Sequence, residues 1–89
     1  MANILRFEFG RPTDIEALED HVVLALFAAE CVYGKPRTRM EASYLIDEDG
    51  ESCVLRADRD AGEAAARIFT GLATARLGDA AFKVQKVAP

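Results

Sequence analysis

The chain has 89 residues, about half of them hydrophobic, with a formal net charge of −4. That length and composition predict one folded domain with a modest core, and exclude both a disordered chain and a two-domain protein. The acidic balance argues against a role coating DNA or RNA, which needs many uncompensated Lys and Arg side chains.

Glu8 interrupts the N-terminal stretch where a secretory leader would need its apolar region to lengthen. The longest apolar run, Val22 to Ala29, falls well short of the roughly 20 residues of a membrane span. The expectation is a soluble, cytoplasmic protein. Cys31 and Cys53 are dispersed and lie outside any CxxC pattern. Free thiols are the expected state, with a Cys31–Cys53 bridge the alternative.

The first element runs from Asn3 to Phe9. Leu5, Phe7 and Phe9 alternate with Ile4, Arg6 and Glu8, the period of a half-buried strand. Gly10-Arg11-Pro12 ends it. Thr13-Asp14-Ile15-Glu16 has the form of a capping box, with Thr13 as the cap, and predicts a helix from Asp14 to about Tyr33, stopped by Gly34. Ile15, Leu18, Val22, Ala25, Leu26, Ala29 and Tyr33 form its core-facing stripe.

Met40–Asp47 and Ser52–Ala57 pattern as a hairpin. A two-residue Asp49-Gly50 turn would set Ile46 opposite Cys53, Tyr44 opposite Leu55 and Ala42 opposite Ala57, all on one face. A second helix is expected to start at Asp60, with Glu63 completing the cap. Its stripe is Ala61, Ala65, Ile68, Leu72 and Ala75, widened by Phe69. Gly71 inside this helix suggests close approach of another element, and Gly78 ends it. Phe82–Val87 is the last strand, with Phe82 and Val84 on one face and Lys83 and Gln85 on the other.

Strand, helix, strand, strand, helix, strand is most economically folded as a two-layer α+β ferredoxin-like plait: an antiparallel four-stranded sheet with both helices on one face. The open face would then carry Arg6, Arg56 and Lys83 among Ile4, Leu45, Val54 and Val87.

One feature stands apart from that pattern. At about 100° per residue, Leu24, Phe27 and Cys31 fall opposite the core stripe of the first helix, with Val23 between the two. A surface helix should be charged there. Val23, Leu24, Phe27 and Cys31 are therefore the candidate partner-binding residues, for a homo-oligomer or a partner protein. The alternative is a helix covered by the Gly34–Arg39 loop or by the second helix.

Chemistry-bearing clusters are sparse. His21 lies about 15 Å along the helix from Cys31, too far for a dyad. Asp47, Glu48, Asp49 and Glu51 lack the twelve-residue calcium-loop pattern and fit a solvated turn. No catalytic residue, metal ligand or cofactor site is assigned. Lys35, Arg37 and Arg39 form the densest basic segment and, with Arg11, are candidate anion or nucleic-acid contacts. The Arg-Pro turn before a helix N-terminus can hold an anion. In element order and in this turn the chain resembles small-ligand regulatory domains of the ACT type, which implies a ligand-binding alternative. The leading expectation is a non-enzymatic interaction or assembly module, with RNA or phosphate binding a further alternative.

Overall fold

A computed structural model of the chain describes residues 3–10 and 14–87. The elements in chain order are β1 (Asn3–Phe9), α1 (Ile15–Tyr33), α2 (Lys35–Glu41), β2 (Ala42–Ile46), β3 (Ser52–Ala57), α3 (Arg59–Leu77), a short 3-10 turn (Asp79–Ala81) and β4 (Phe82–Val87). The four strands form one antiparallel sheet in the order β2-β3-β1-β4. The architecture is α+β, and no helix among the described residues is long and apolar enough to cross a membrane.

The strand patterns translate directly into packing. In β1, Phe7 and Phe9 are buried and Leu5 packs beside them, while Arg6 is exposed and pairs with Glu8 at 3.4 Å. Phe7 meets Phe69 of α3 edge to face, with ring centroids 4.9 Å apart. This T-shaped geometry puts a positive ring edge against a negative ring face. Leu18, Val22 and Ala25 of α1 close the same core against Cys53 and Leu55 of β3. The hairpin register is Ile46↔Cys53, Tyr44↔Leu55 and Ala42↔Ala57, as the alternation requires.

The turn of that hairpin is not the tight two-residue form. The Gly50 N–H donates to the Asp47 carbonyl at 3.0 Å, and the Asp47 N–H donates to the Ser52 carbonyl at 3.0 Å. Gly50 takes a φ of 71°, which suits glycine. Both closures place Asp47 opposite Ser52, so the register is the same. Strand β2 starts at Ala42 and stops at Ile46, shorter at both ends than Met40–Asp47.

Helix α1 is capped by Asp14, whose Oδ1 accepts from the Glu16 N–H at 3.0 Å. The expected Thr13 cap lies outside the described residues. Gly34 ends the helix at a φ of 89°, its N–H donating to the Glu30 carbonyl at 2.8 Å.

The segment after Gly34, expected as a loop, is instead α2. Pro36 sits in its first turn, where its missing N–H costs nothing. Arg37 and Glu41 then pair one turn apart, and the Thr38 hydroxyl donates back to the Gly34 carbonyl at 2.9 Å. The element order is therefore β-α-α-β-β-α-β.

Helix α3 begins at Arg59, not at a cap on Asp60. Asp58 holds the N-cap position without a side-chain cap bond, and Glu63 pairs with Arg67 at 2.6 Å rather than reaching back. Its buried face is Ala61, Gly62, Ala65, Ala66, Phe69 and Ala73, so Ala75, expected in the stripe, is exposed. The close-approach glycine is Gly62, not Gly71. A Cβ on Gly62 would collide with the backbone oxygen of Glu41 and lie 2.9 Å from the carbonyl carbon of Ala57. Around Gly71 there is open space.

Candidate protein-binding face

Helix α1 buries Leu18, Val22, Ala25 and Ala29 and turns a second apolar stripe outward. Val23 is 50% exposed, Leu24 52% and Phe27 60%, and Cys31 is exposed beside them. Neither α2 nor α3 covers this stripe. Val32, near the C-terminal end of the helix, is also 75% exposed but lies off this stripe.

The stripe overhangs a cleft of about 430 Å³ between α1, α2 and the outer edge of the sheet. Val23, Leu26 and Phe27 form one wall, Ala42, Ser43 and Tyr44 of β2 the other, and Thr38 and Arg39 of α2 close one end. In the order β2-β3-β1-β4, β2 is an edge strand, so among the described residues the cleft opens onto unpaired strand backbone. Sequence periodicity points to the α1 wall. The β2 wall was not legible, because β2 carries none of the charges or prolines that mark an edge strand locally. Leu45 at 67% and Met40 at 75% are also exposed near this edge.

Apart from the cleft, a polar network ties α2 to the start of α3. Arg37 donates from Nε to Glu41 Oε2 at 2.8 Å, lies 3.6 Å from Asp60 Oδ2, and sits over the Tyr33 ring at 5.1 Å. The other oxygen of Glu41 accepts from the Ala61 N–H at 3.0 Å, and its carbonyl accepts from the Asp58 N–H at 2.7 Å. Glu41 of α2 thus does the capping of α3 that no residue at the start of α3 performs. The Arg37 hydrogen bond, helped by the Ala61 N–H, outweighs desolvation and holds the Glu41 carboxyl below its ordinary range. The same bond raises the Arg37 guanidinium further.

The three candidate basic residues that the structure describes do not form a free anion site. Arg37 is committed to Glu41 and Asp60, and Arg39 pairs with Glu30 at 3.5 Å beside the cleft. Lys35 is exposed at the start of α2. Arg11 lies outside the described residues.

His21, Asp47 and Asp49 have structural partners. His21 donates from Nδ1 to the carbonyl of Ala17 one turn earlier in its own helix. Asp47 accepts from the Ser52 hydroxyl, and Asp49 accepts from the Glu51 N–H at 2.9 Å, so these two carboxylates of the tip build the turn. Among the described residues, no three His, Cys, Asp or Glu side chains are grouped to hold a metal ion. Both cysteines are free thiols, Cys31 exposed and Cys53 buried. Burial, with a contribution from nearby Asp47, pushes the Cys53 thiol up to about 11.

No family model, curated protein or solved structure matches the chain.

Proposed function

We propose that the chain is a non-enzymatic protein–protein interaction or assembly module, docking its partner on the outer face of α1. One observation carries the reading: Val23, Leu24 and Phe27 form a contiguous, half-exposed apolar surface at the rim of a cleft. Contiguous apolar surface rimmed by polar groups marks interaction sites, because covering it releases about 25 cal/mol per Å². The framework we propose is the ferredoxin-like plait, with α2 as an addition between the first helix and the second strand. Taken from the other edge, the sheet order is β4-β1-β3-β2, and α1 and α3 pack together on the face that carries Phe7 and Leu55.

The charge arrangement disfavours the nucleic-acid alternative, since phosphate binding draws on uncompensated cations and Arg37 and Arg39 each face a carboxylate.

Photo-crosslinking in intact cells tests the docking reading. A photoreactive residue in place of Cys31 should give a discrete crosslinked protein product, which Phe27→Glu removes without unfolding the chain. Crosslinks absent at Cys31, or unchanged by Phe27→Glu, would overturn it.

A further inference from the structure

The two edges of the sheet are built differently. The β4 edge carries Lys83 and Lys86, the usual guard against strand addition. The β2 edge reads Ala42-Ser43-Tyr44-Leu45-Ile46 and carries no charge, proline or bulge. Its backbone alternation is fixed by the neighbouring bonds. The Asp47 N–H donates to Ser52 and the Asp58 N–H donates to Glu41, so the odd-numbered residues, Ser43 and Leu45, bond inward to β3. Tyr44 and Ile46 therefore turn their N–H and C=O groups outward, where no described residue meets them. The Ala42 carbonyl points the same way, while its N–H is used by the Thr38 carbonyl.

We infer that a second copy of the chain docks here, β2 pairing antiparallel with its own counterpart about a two-fold axis through Tyr44. The inference rests on the docking reading above and names its partner. Self-pairing gives every outward donor of Tyr44 and Ile46 an acceptor, with only the Ile46 carbonyl left over. Each Tyr44 N–H meets the other Tyr44 carbonyl, and each Ile46 N–H meets the other Ala42 carbonyl. The same axis brings the two overhanging α1 helices together, antiparallel, with Val23 and Phe27 of each closing the cleft of the other over Tyr44.

Charge leaves this face open to a second copy, and area sets how much of it the contact must cover. The chain is net acidic, so most of its surface repels another copy. On this face β2 is uncharged, and Glu30 and Arg39 already neutralise one another. A stable interface takes about 800 Å² from each partner, more than a five-residue strand supplies alone, so the α1 stripe must join it. An isologous contact of this kind closes on itself and does not propagate into fibres.

Hydrogen exchange on the full chain across a concentration series tests the pairing. The Tyr44 and Ile46 amides should become protected as mass rises from monomer to dimer, while Ser43 and Leu45 stay protected throughout. Leu45→Lys, at an exposed position, places like charges on either side of the axis and should weaken dimerisation about tenfold with the fold intact. A dimer whose Tyr44 and Ile46 amides exchange freely would overturn β2 pairing and leave docking on α1 standing. A chain that stays monomeric at all concentrations would overturn the second copy, while a crosslink from Cys31 to a different protein would preserve the docking reading. Loss of the Cys31 crosslink altogether would remove both.

Discussion

Helices α1 and α3 are each 19 residues long and pack side by side, yet they are specified in opposite ways. Helix α1 starts and stops on its own local signals, Asp14 and Gly34, but its outer surface is apolar. Helix α3 has an ordinary outer surface, with Glu63 and Arg67 paired and Arg76 in the last turn. Its start, however, is locally poor. Arg59 is held at a φ of 51°, Asp58 makes no cap bond, and Glu41, 20 residues before Ala61, caps the helix from another element. Capping residues report where a helix begins; its outer face reports what it is meant to touch. In this molecule the two kinds of signal are decoupled.

Substitutions can break this contrast. The largest effect is expected at Phe69 on the inner face of α3. Phe69→Ala should cost about 3–5 kcal/mol by urea denaturation, whereas Phe27→Ala on the outer face of α1 should stay within about 0.5 kcal/mol for the monomer. Equal losses at the two positions would mean that α1 is covered. Next comes Gly62→Ala, which drives a methyl into the Glu41 carbonyl and should cost about 3 kcal/mol. A neutral result there would show that α2 and α3 do not meet as closely as the capping bond requires.

The third effect is a pH dependence. Glu41 has its carboxyl held below the ordinary range, so between the two values the unfolded chain binds more protons than the folded one. Its stabilisation is complete above the ordinary carboxylate pKa of about 4.3 and is lost as pH falls through the lowered folded value. Glu41→Gln should lower the urea midpoint at neutral pH and flatten its decline on the acid side. A decline of unchanged steepness would remove Glu41 from the cap. The smallest effect is a gain: Arg59→Gly relieves the left-handed backbone and should stabilise by up to about 1 kcal/mol in the same titration.

These positions also show what the sequence made legible. The β2–β3 register followed from the alternation on both strands, because slipping by one residue would turn the buried Cys53, Leu55 and Ala57 outward. The outward stripe of α1 followed from the helical angle alone. What escaped was non-local or ambiguous. Gly34 and Pro36 both read as breakers, although proline belongs in a first turn, so α2 was hidden. Asp60 and Glu63 have the spacing of a cap, but Glu63 is drawn to Arg67 on the next turn. Gly71 and Gly62 are equally conspicuous in the sequence, and only the crossing of α2 over α3 distinguishes them. The second wall of the cleft depends on which strand ends the sheet.

The two thiols make the molecule a reporter on itself. A maleimide meets Cys31 on the α1 surface whenever that surface is uncovered, whereas Cys53, buried and protonated at neutral pH, reacts only when the core opens. One labelling time course therefore carries two clocks, the fast one counting exposure of the α1 face and the slow one counting unfolding of the whole domain.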